Sequence, residues 1–252
     1  MDAYPVRGRL AAVRIGCTSR GVPVLATALA AIAGAIASAS NNIPIEATLR
    51  NDASLSDVFF TDEANGWAVG DRGVVWHTTN GGTSWVQQKS NAACRLNSVS
   101  FVDRNRGWIV GGESRSYAHA TRGVVLRTND GGASWAPVPE QMLPALTRIK
   151  FFDENVGVAI GFGTQSQPSG VFITRDGGQS WQALPTDQAD CWLAGDFLGP
   201  STGAVTGPSG RVATIARNQV VHSPLATPSL RSFHAMRLIA PAGGWIVAMA
   251  VS

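Results

Sequence analysis

From residue 55 the chain alternates short apolar runs with tight polar turns. Leu55 to Phe60 (LSDVFF), Gly66 to Gly70 (GWAVG), Gly73 to Thr78 (GVVWHT) and Ser84 to Lys89 (SWVQQK) are each strand-length and rich in β-branched and aromatic residues. Between them lie Asp62-Glu63-Ala64-Asn65, Asp71-Arg72 and Asn80-Gly81-Gly82, with Asn and Gly where hairpin turns need a positive φ. The pattern predicts four antiparallel strands: a buried first, then a second and third, and a half-polar fourth.

That unit recurs. Gly66-Trp67, Gly107-Trp108, Gly157-Val158, Gly203-Ala204 and Gly244-Trp245 follow one another at spacings of 41, 50, 46 and 41 residues. Six residues before each Gly stands a large apolar residue: Phe60, Phe101, Phe151, Phe197 and Leu238. A four-stranded unit at this period is the blade of a β-propeller. The expected fold is all-β, with antiparallel blades at about 55–95, 96–145, 146–191 and 192–229 and a partial one at 230–252.

The third turn carries the most specific motif, Thr-x-Asn/Asp-x-Gly-x-Ser-Trp, at Thr78 to Trp85, Thr128 to Trp135 and Thr174 to Trp181. Asn80, Asp130 and Asp176 are suited to accept hydrogen bonds from turn N–H groups; Gly82, Gly132 and Gly178 allow a left-handed residue; Trp85, Trp135 and Trp181 cover the hairpin. This chemistry staples a turn, so the acidic residues are read as structural rather than as metal or catalytic groups. The repeated element is an Asp box, as in bacterial neuraminidase repeats, sialidases and sortilin-type receptors. Together, F-x-D-x-x-x-G-W and G-x-V-x-x-T-x-D-G-G-x-S-W resemble the photosystem II stability/assembly factor family over roughly residues 50–252. The resemblance implies a seven-bladed propeller on the lumenal or periplasmic side, with a role in membrane-protein biogenesis.

Two departures matter. The fourth repeat keeps Phe197, Gly203, Gly207 and Gly210 but has Ile215-Ala216-Arg217-Asn218-Gln219-Val220 in place of the Asp box. The fifth holds only its first two strands, so about four and a half blades are present, incomplete relative to a seven-bladed ring. A truncated gene, a distorted closure and pairing with a second copy through open blade edges are the alternatives, and truncation is favoured. Residues 41–52 are candidates for an outer strand of a final blade.

The N-terminal residues 1–39 read as a targeting segment. Arg7, Arg9, Arg14 and Arg20 precede the apolar run Gly21 to Ala37, and Ala37-Ser38-Ala39 offers a cleavage pattern. An uncleaved anchor helix is the alternative, and it would be the chain's one route to a membrane. The whole chain has 20 Lys+Arg against 17 Asp+Glu, but this segment holds four Arg and one Asp, which leaves sixteen of each. The basic balance thus belongs to the segment, and no basic face for nucleic acid is indicated. Cys94 and Cys191 sit at blade junctions two repeats apart and are expected to be buried or free thiols.

Strand alternation puts the Asp boxes on one face and the second-to-third strand loops on the other. Length varies on that other face: Asp71-Arg72 in the first repeat becomes Gly112 to Arg122 in the second and Phe162 to Ser169 in the third. Arg72, Arg115, Tyr117, His119, Arg122 and Arg211 form the candidate partner-binding cluster; a solvated loop without a partner is the alternative. Enzyme chemistry finds little support. Tyr117 is the one Tyr beyond residue 39, and it lies in a loop rather than on a strand. No G-x-S-x-G elbow and no H-E-x-x-H or C-x-x-C spacing occurs. The reading is a non-catalytic, cofactor-free, exported scaffold that binds a protein segment; the alternative is a sialidase-like or carbohydrate-binding propeller.

Overall fold

The computed structural model describes residues 10–15, 52–115, 120–138, 142–186, 188–223, 232–240 and 243–249. After β1 (Leu10–Ile15), the first four-stranded sheet comprises β2 (Leu55–Phe60), β3 (Gly66–Gly70), β4 (Val74–Thr78) and β5 (Val86–Lys89). The second comprises β6 (Arg95–Phe101), β7 (Gly107–Arg115), β8 (Ala120–Thr128) and β9 (Ala136–Pro137). The third is built of β10 (Leu146–Phe151), β11 (Gly157–Gly161), β12 (Val171–Thr174) and β13 (Gln182–Ala183). The fourth runs β14 (Ala194–Gly199), β15 (Thr202–Thr206), β16 (Val212–Ala216) and β17 (Gln219–His222). Each sheet keeps its strands in chain order, which is the meander of a propeller blade. The all-β reading and the four complete blades hold, with β4 and β5 each starting one or two residues later than the pattern suggested.

A further sheet pairs β18 (Ser232–Ala240) with β19 (Gly243–Met249), the two strands expected of the fifth repeat. Its third strand is β1, antiparallel to β19 from Leu10↔Met249 to Ile15↔Gly244. Six residues of the stretch read as a targeting segment thus stand in a strand of this sheet. Residues 16–39 and 41–51 lie outside the described residues.

The chain divides into two compact units, one of described residues up to 157 with 174–181, the other of β1, 158–173 and 182 onward. In the first unit, Trp67, Val69, Val75, Leu96, Val99, Phe101, Ile109, Leu126 and Trp135 form one buried cluster. Its first strands lie against each other, β2 on β6 and β6 on β10. Asp57 fastens the first of these contacts, accepting from Ser98 Oγ at 2.7 Å and Val99 N at 3.1 Å. In the second unit β14 lies against β18, and Asp196 takes the corresponding part by accepting from Leu238 N at 2.9 Å.

The six-residue Phe-to-Gly spacing has a steric cause. A Cβ on Gly66, Gly107, Gly157 or Gly203 would stand between 2.4 and 2.9 Å from the ring of Phe60, Phe101, Phe151 or Phe197, so each Gly leaves the space its Phe fills. The following Trp reaches into the next repeat. Trp67 stacks on Phe101 at 3.7 Å and donates from Nε1 to Gly131 O at 3.0 Å. Trp108 stacks on Phe151 at 3.6 Å and donates to Gly177 O at 2.9 Å. Each Gly-Trp pair is one half of a joint whose other half is the Asp box of the following repeat. Val158 has neither ring nor donor, and the fourth repeat, which it would engage, lacks an Asp box. Both halves of that joint are missing together.

In place of the lost Asp box, Arg217 (φ 51°) and Asn218 (φ 60°) make a two-residue turn closed by the Ala216↔Gln219 pair. Two consecutive left-handed residues are the type I′ geometry that suits the twist of a hairpin. Trp192 supplies a different anchor here, fully buried and donating from Nε1 to Ser169 O at 2.7 Å.

Candidate functional site

The Asp boxes are self-contained turns. In the second, Asp130 accepts from Thr128 Oγ1 at 2.7 Å, Ser134 N at 2.9 Å and Ser134 Oγ at 2.6 Å, while Thr128 Oγ1 accepts from Gly132 N at 2.8 Å. Asn80 and Asp176 repeat the arrangement with Thr78, Ser84, Thr174 and Ser180. The paired glycines are left-handed in all three, from Gly81 and Gly82 at φ 69° and 87° to Gly177 and Gly178 at 72° and 90°. Donation by the Ser134 side chain, its N–H and Thr128 holds the Asp130 carboxyl at about 2. At Asp176 burial pushes upward, but the Ser180 side chain and N–H and Thr174 outweigh it and the carboxyl lies below its ordinary value. These oxygens serve the hydrogen bonds of their own turns.

The Trp side chains close the turns as expected, packing edge-on against the Phe of their own repeat. Trp85 lies 6.0 Å from Phe60, Trp135 5.9 Å from Phe101 and Trp181 6.1 Å from Phe151, with planes 82° to 87° apart. The sequence reading missed that the box also serves the preceding repeat, through the carbonyls of Gly131 and Gly177. Its one available signal was the shared absence of a Gly-Trp tryptophan in the third repeat and of an Asp box in the fourth.

On the other face, Arg72 occupies a left-handed position (φ 57°) in the turn Asp71–Gly73 and is exposed. Ser209 repeats it (φ 57°) in Pro208–Gly210, so Arg72 corresponds to Ser209, and Arg211 follows the turn rather than sitting in it. Arg122 holds the same place before Gly123 as Arg72 before Gly73. Residues 112–115 and 120–122, in the stretch read as a loop, are paired strand residues. β7 and β8 extend as a ribbon through Gly112↔Gly123, Glu113↔Arg122, Ser114↔Thr121 and Arg115↔Ala120. The alternating Ser and Thr residues near its end suit strands better than a coil. Tyr117 and His119 lie outside the described residues, and Arg115 is placed by its backbone alone.

Arg211 belongs to the best-formed polar cluster, which the sequence did not single out. The Asp190 side chain is fully buried, with Arg211 Nη1 2.9 Å from Oδ1 and His222 Nε2 3.2 Å from Oδ2. Thr186 Oγ1 is 3.3 Å from the same His222 nitrogen. One ring nitrogen facing both carboxylate and hydroxyl cannot relay a proton between them, so this is a brace rather than a nucleophile triad. His77 is stacked on Trp67 at 4.6 Å, and burial lowers its pKa. Cys94 and Cys191 are free thiols, and burial with Asp190 alongside pushes Cys191 up to about 11. Among the described residues, no group of three or more His, Cys, Asp or Glu is placed to hold a metal ion, and no helix is long and apolar enough to cross a membrane.

Comparison with known proteins agrees with this architecture. Residues 37–236 match the family described as Photosynthesis system II assembly factor YCF48. Photosystem II stability/assembly factor HCF136, chloroplastic, of Oryza sativa subsp. japonica is 41% identical over 59 residues, which are 23% of this chain and 14% of that protein. The solved structure "YCF48 bound to D1 peptide" superposes with a TM-score of 0.58 at 25% identity, covering 79% of this chain and 63% of that one. An ancestral GH74 enzyme shares the fold at 19% identity and a TM-score of 0.55, over 76% of this chain and 26% of that one. The chain spans less than two thirds of the length of each of these three proteins. With its blades, its Gly-Trp joints and a match running from residue 37 to 236, the chain belongs to the photosynthesis system II assembly factor YCF48 family.

Proposed function

We propose that this chain is a non-catalytic, exported scaffold that binds an extended protein segment, such as the exported end of a membrane-protein precursor, on the lumenal or periplasmic side. The observation that carries the reading is the 25% identical relative solved as YCF48 bound to D1 peptide, whose fold covers 79% of this chain. The turn residue Arg72 and the ribbon residue Arg122 supply cations at equivalent positions of adjacent repeats. Arg is suited to anchor carboxylate-bearing or backbone-exposed partners. Nucleic acid is not the partner on this reading, because the charges beyond residue 39 balance.

Affinity capture on the full chain tests it. Membrane-protein precursors are retained by the native protein, and an Arg72→Ser, Arg122→Ser double variant loses at least about tenfold in retention. Equal retention by the double variant refutes the assignment of the face. Turnover of a fluorogenic sialoside or glucan oligosaccharide refutes the non-catalytic reading. Export also has a direct readout, because cleavage after Ala39 and the β1–β19 pairing cannot coexist in one molecule. The intact mass of protein recovered from the periplasm is expected to begin at Ser40.

A further inference from the structure

The first unit contains two versions of one junction between neighbouring Asp boxes, which differ at the residue facing the Gly-Trp indole, His77 in one and Arg127 in the other, and at the residue three beyond the Trp of the first box. Between the first and second boxes, Gln88 fills the gap: Nε2 donates to Gly131 O at 2.9 Å, and Oε1 accepts from Trp135 Nε1 at 3.3 Å. Gln88 stands three residues beyond Trp85. The residue three beyond Trp135 is Val138, which can neither donate nor accept. There the junction holds a cavity of about 130 Å³, lined by Arg127, Asn129, Pro137, Val138, Gly177 and Gln179. That is room for a few water-sized groups.

The charged wall of this cavity is a donor. Arg127 lies with its guanidinium carbon 5.6 Å over the Trp108 ring, and its Nε is buried with no acceptor among the described residues. A buried guanidinium N–H without an acceptor is a costly arrangement that an incoming oxygen relieves. The cation–π contact with Trp108 holds the guanidinium beside the cavity, so less side-chain freedom is lost when a carboxylate arrives. Asn129 and Gln179 add amide donors at the exposed mouth, and Pro137 and Val138 give one apolar side. Gly177 O accepts from Trp108 Nε1 and keeps a second lone pair, as Gly131 O accepts from both Trp67 Nε1 and Gln88 Nε2, so an incoming oxygen is held on the Arg127 side of the cavity rather than against this carbonyl. The Asp130 and Asp176 carboxylates nearby are taken up by their own turns.

We infer that the junction between the second and third Asp boxes is a carboxylate-binding site, taking one carboxylate of a peptide, from an acidic side chain or a chain end, against Arg127 in the cavity left beside Val138. This site lies on the Asp-box turns rather than the Arg72 and Arg122 turns, so it stands or falls apart from the proposed binding face.

The test follows the Trp108 indole N–H by NMR in the full chain, since that group borders the cavity through Gly177. Three probes are titrated: acetyl-Leu-Ala with a free carboxylate end, the same peptide as its terminal amide, and acetyl-Leu-Glu-Ala amide. A saturable shift is expected with one or both carboxylate probes and not with the neutral amide. Saturation by the first alone identifies a chain end, and by the third alone an acidic side chain. Arg127→Met is expected to weaken binding at least about tenfold, the loss of one charge-assisted contact. Val138→Gln supplies the missing amide from within and is expected to abolish binding while leaving the unfolding midpoint unchanged or raised. The inference is overturned by equal binding of the neutral amide, by no saturation with either carboxylate up to about 10 mM, or by undiminished binding to Val138→Gln.

Discussion

Replacing Trp108 by Val converts the joint between the second and third repeats into the form found naturally at Val158, and it tests whether Gly-Trp and Asp box act as one device. Trp108 is fully buried, stacks on Phe151 at 3.6 Å, donates to Gly177 O at 2.9 Å and carries the Arg127 guanidinium on its face. Truncating a buried Trp costs about 3–5 kcal/mol at Ala, and Val recovers roughly 1 of that through its retained methyls. The lost stack contributes about 1 kcal/mol and the orphaned carbonyl about 1 more. These terms overlap, so the expected loss is about 3–4 kcal/mol. With a urea slope near 2 kcal/mol per molar, the midpoint falls by about 1.5–2 M. Near-UV circular dichroism against urea reads it. Trp85→Val is the control: Trp85 is only partly buried, and its indole donates within its own turn, to Gly82 O at 3.1 Å, so about 1–2 kcal/mol is expected. A Trp108→Val loss no larger than that of Trp85→Val refutes the joint.

Three further outcomes follow from the same geometry. The Asp130 carboxyl at about 2 lies below its unfolded value of 3.8, so its contribution is present above that value and is lost as pH falls toward 2. Discounted for its exposure, this is about 1 kcal/mol or less, and Asp130→Asn should lessen the fall of the melting temperature between pH 4 and pH 2, with Asp103, Asp153 and Asp176, also held below their ordinary values, keeping the rest. Asp190→Asn removes the charge that faces Arg211 and His222 while keeping the shape; because Arg211 is 55% exposed, the cost is expected near 1–3 kcal/mol by thermal unfolding, and Arg211→Gln should cost less. The Cys191 thiol, held near 11, should react with iodoacetamide at pH 8 about a hundredfold more slowly folded than in urea, as read by mass spectrometry.

Much of the fold was legible because it is made of local chemistry repeated in register. Phe60 to Gly66, the Asn80-Gly81-Gly82 turn and their copies carry their own geometry in a few adjacent residues, so strand count, blade order and the Asp-box role followed from spacing. The candidate face was legible in topology but not in detail. Gly112 to Arg122 reads as a loop because its polar residues lack apolar alternation, yet cross-strand pairing makes 112–115 and 120–122 a ribbon. The turn-forming pair Arg217-Asn218 was visible only as the loss of a motif, although both residues adopt the left-handed region.

Sequence by itself determined the β class, the repeat, the turn chemistry and, through residues 37–236, the family. Tertiary structure decided what each turn does for its neighbour. Trp108 meets Gly177 across 69 residues, Gln88 meets Gly131 across 43, and Asp190 meets Arg211 across 21. Such pairings depend on how blades are laid side by side, and no periodicity within one blade encodes the partner in the next. For the same reason the difference between Gln88 in β5 and Val138 just past β9 becomes a filled junction and an open one only when the neighbouring Asp box is in place.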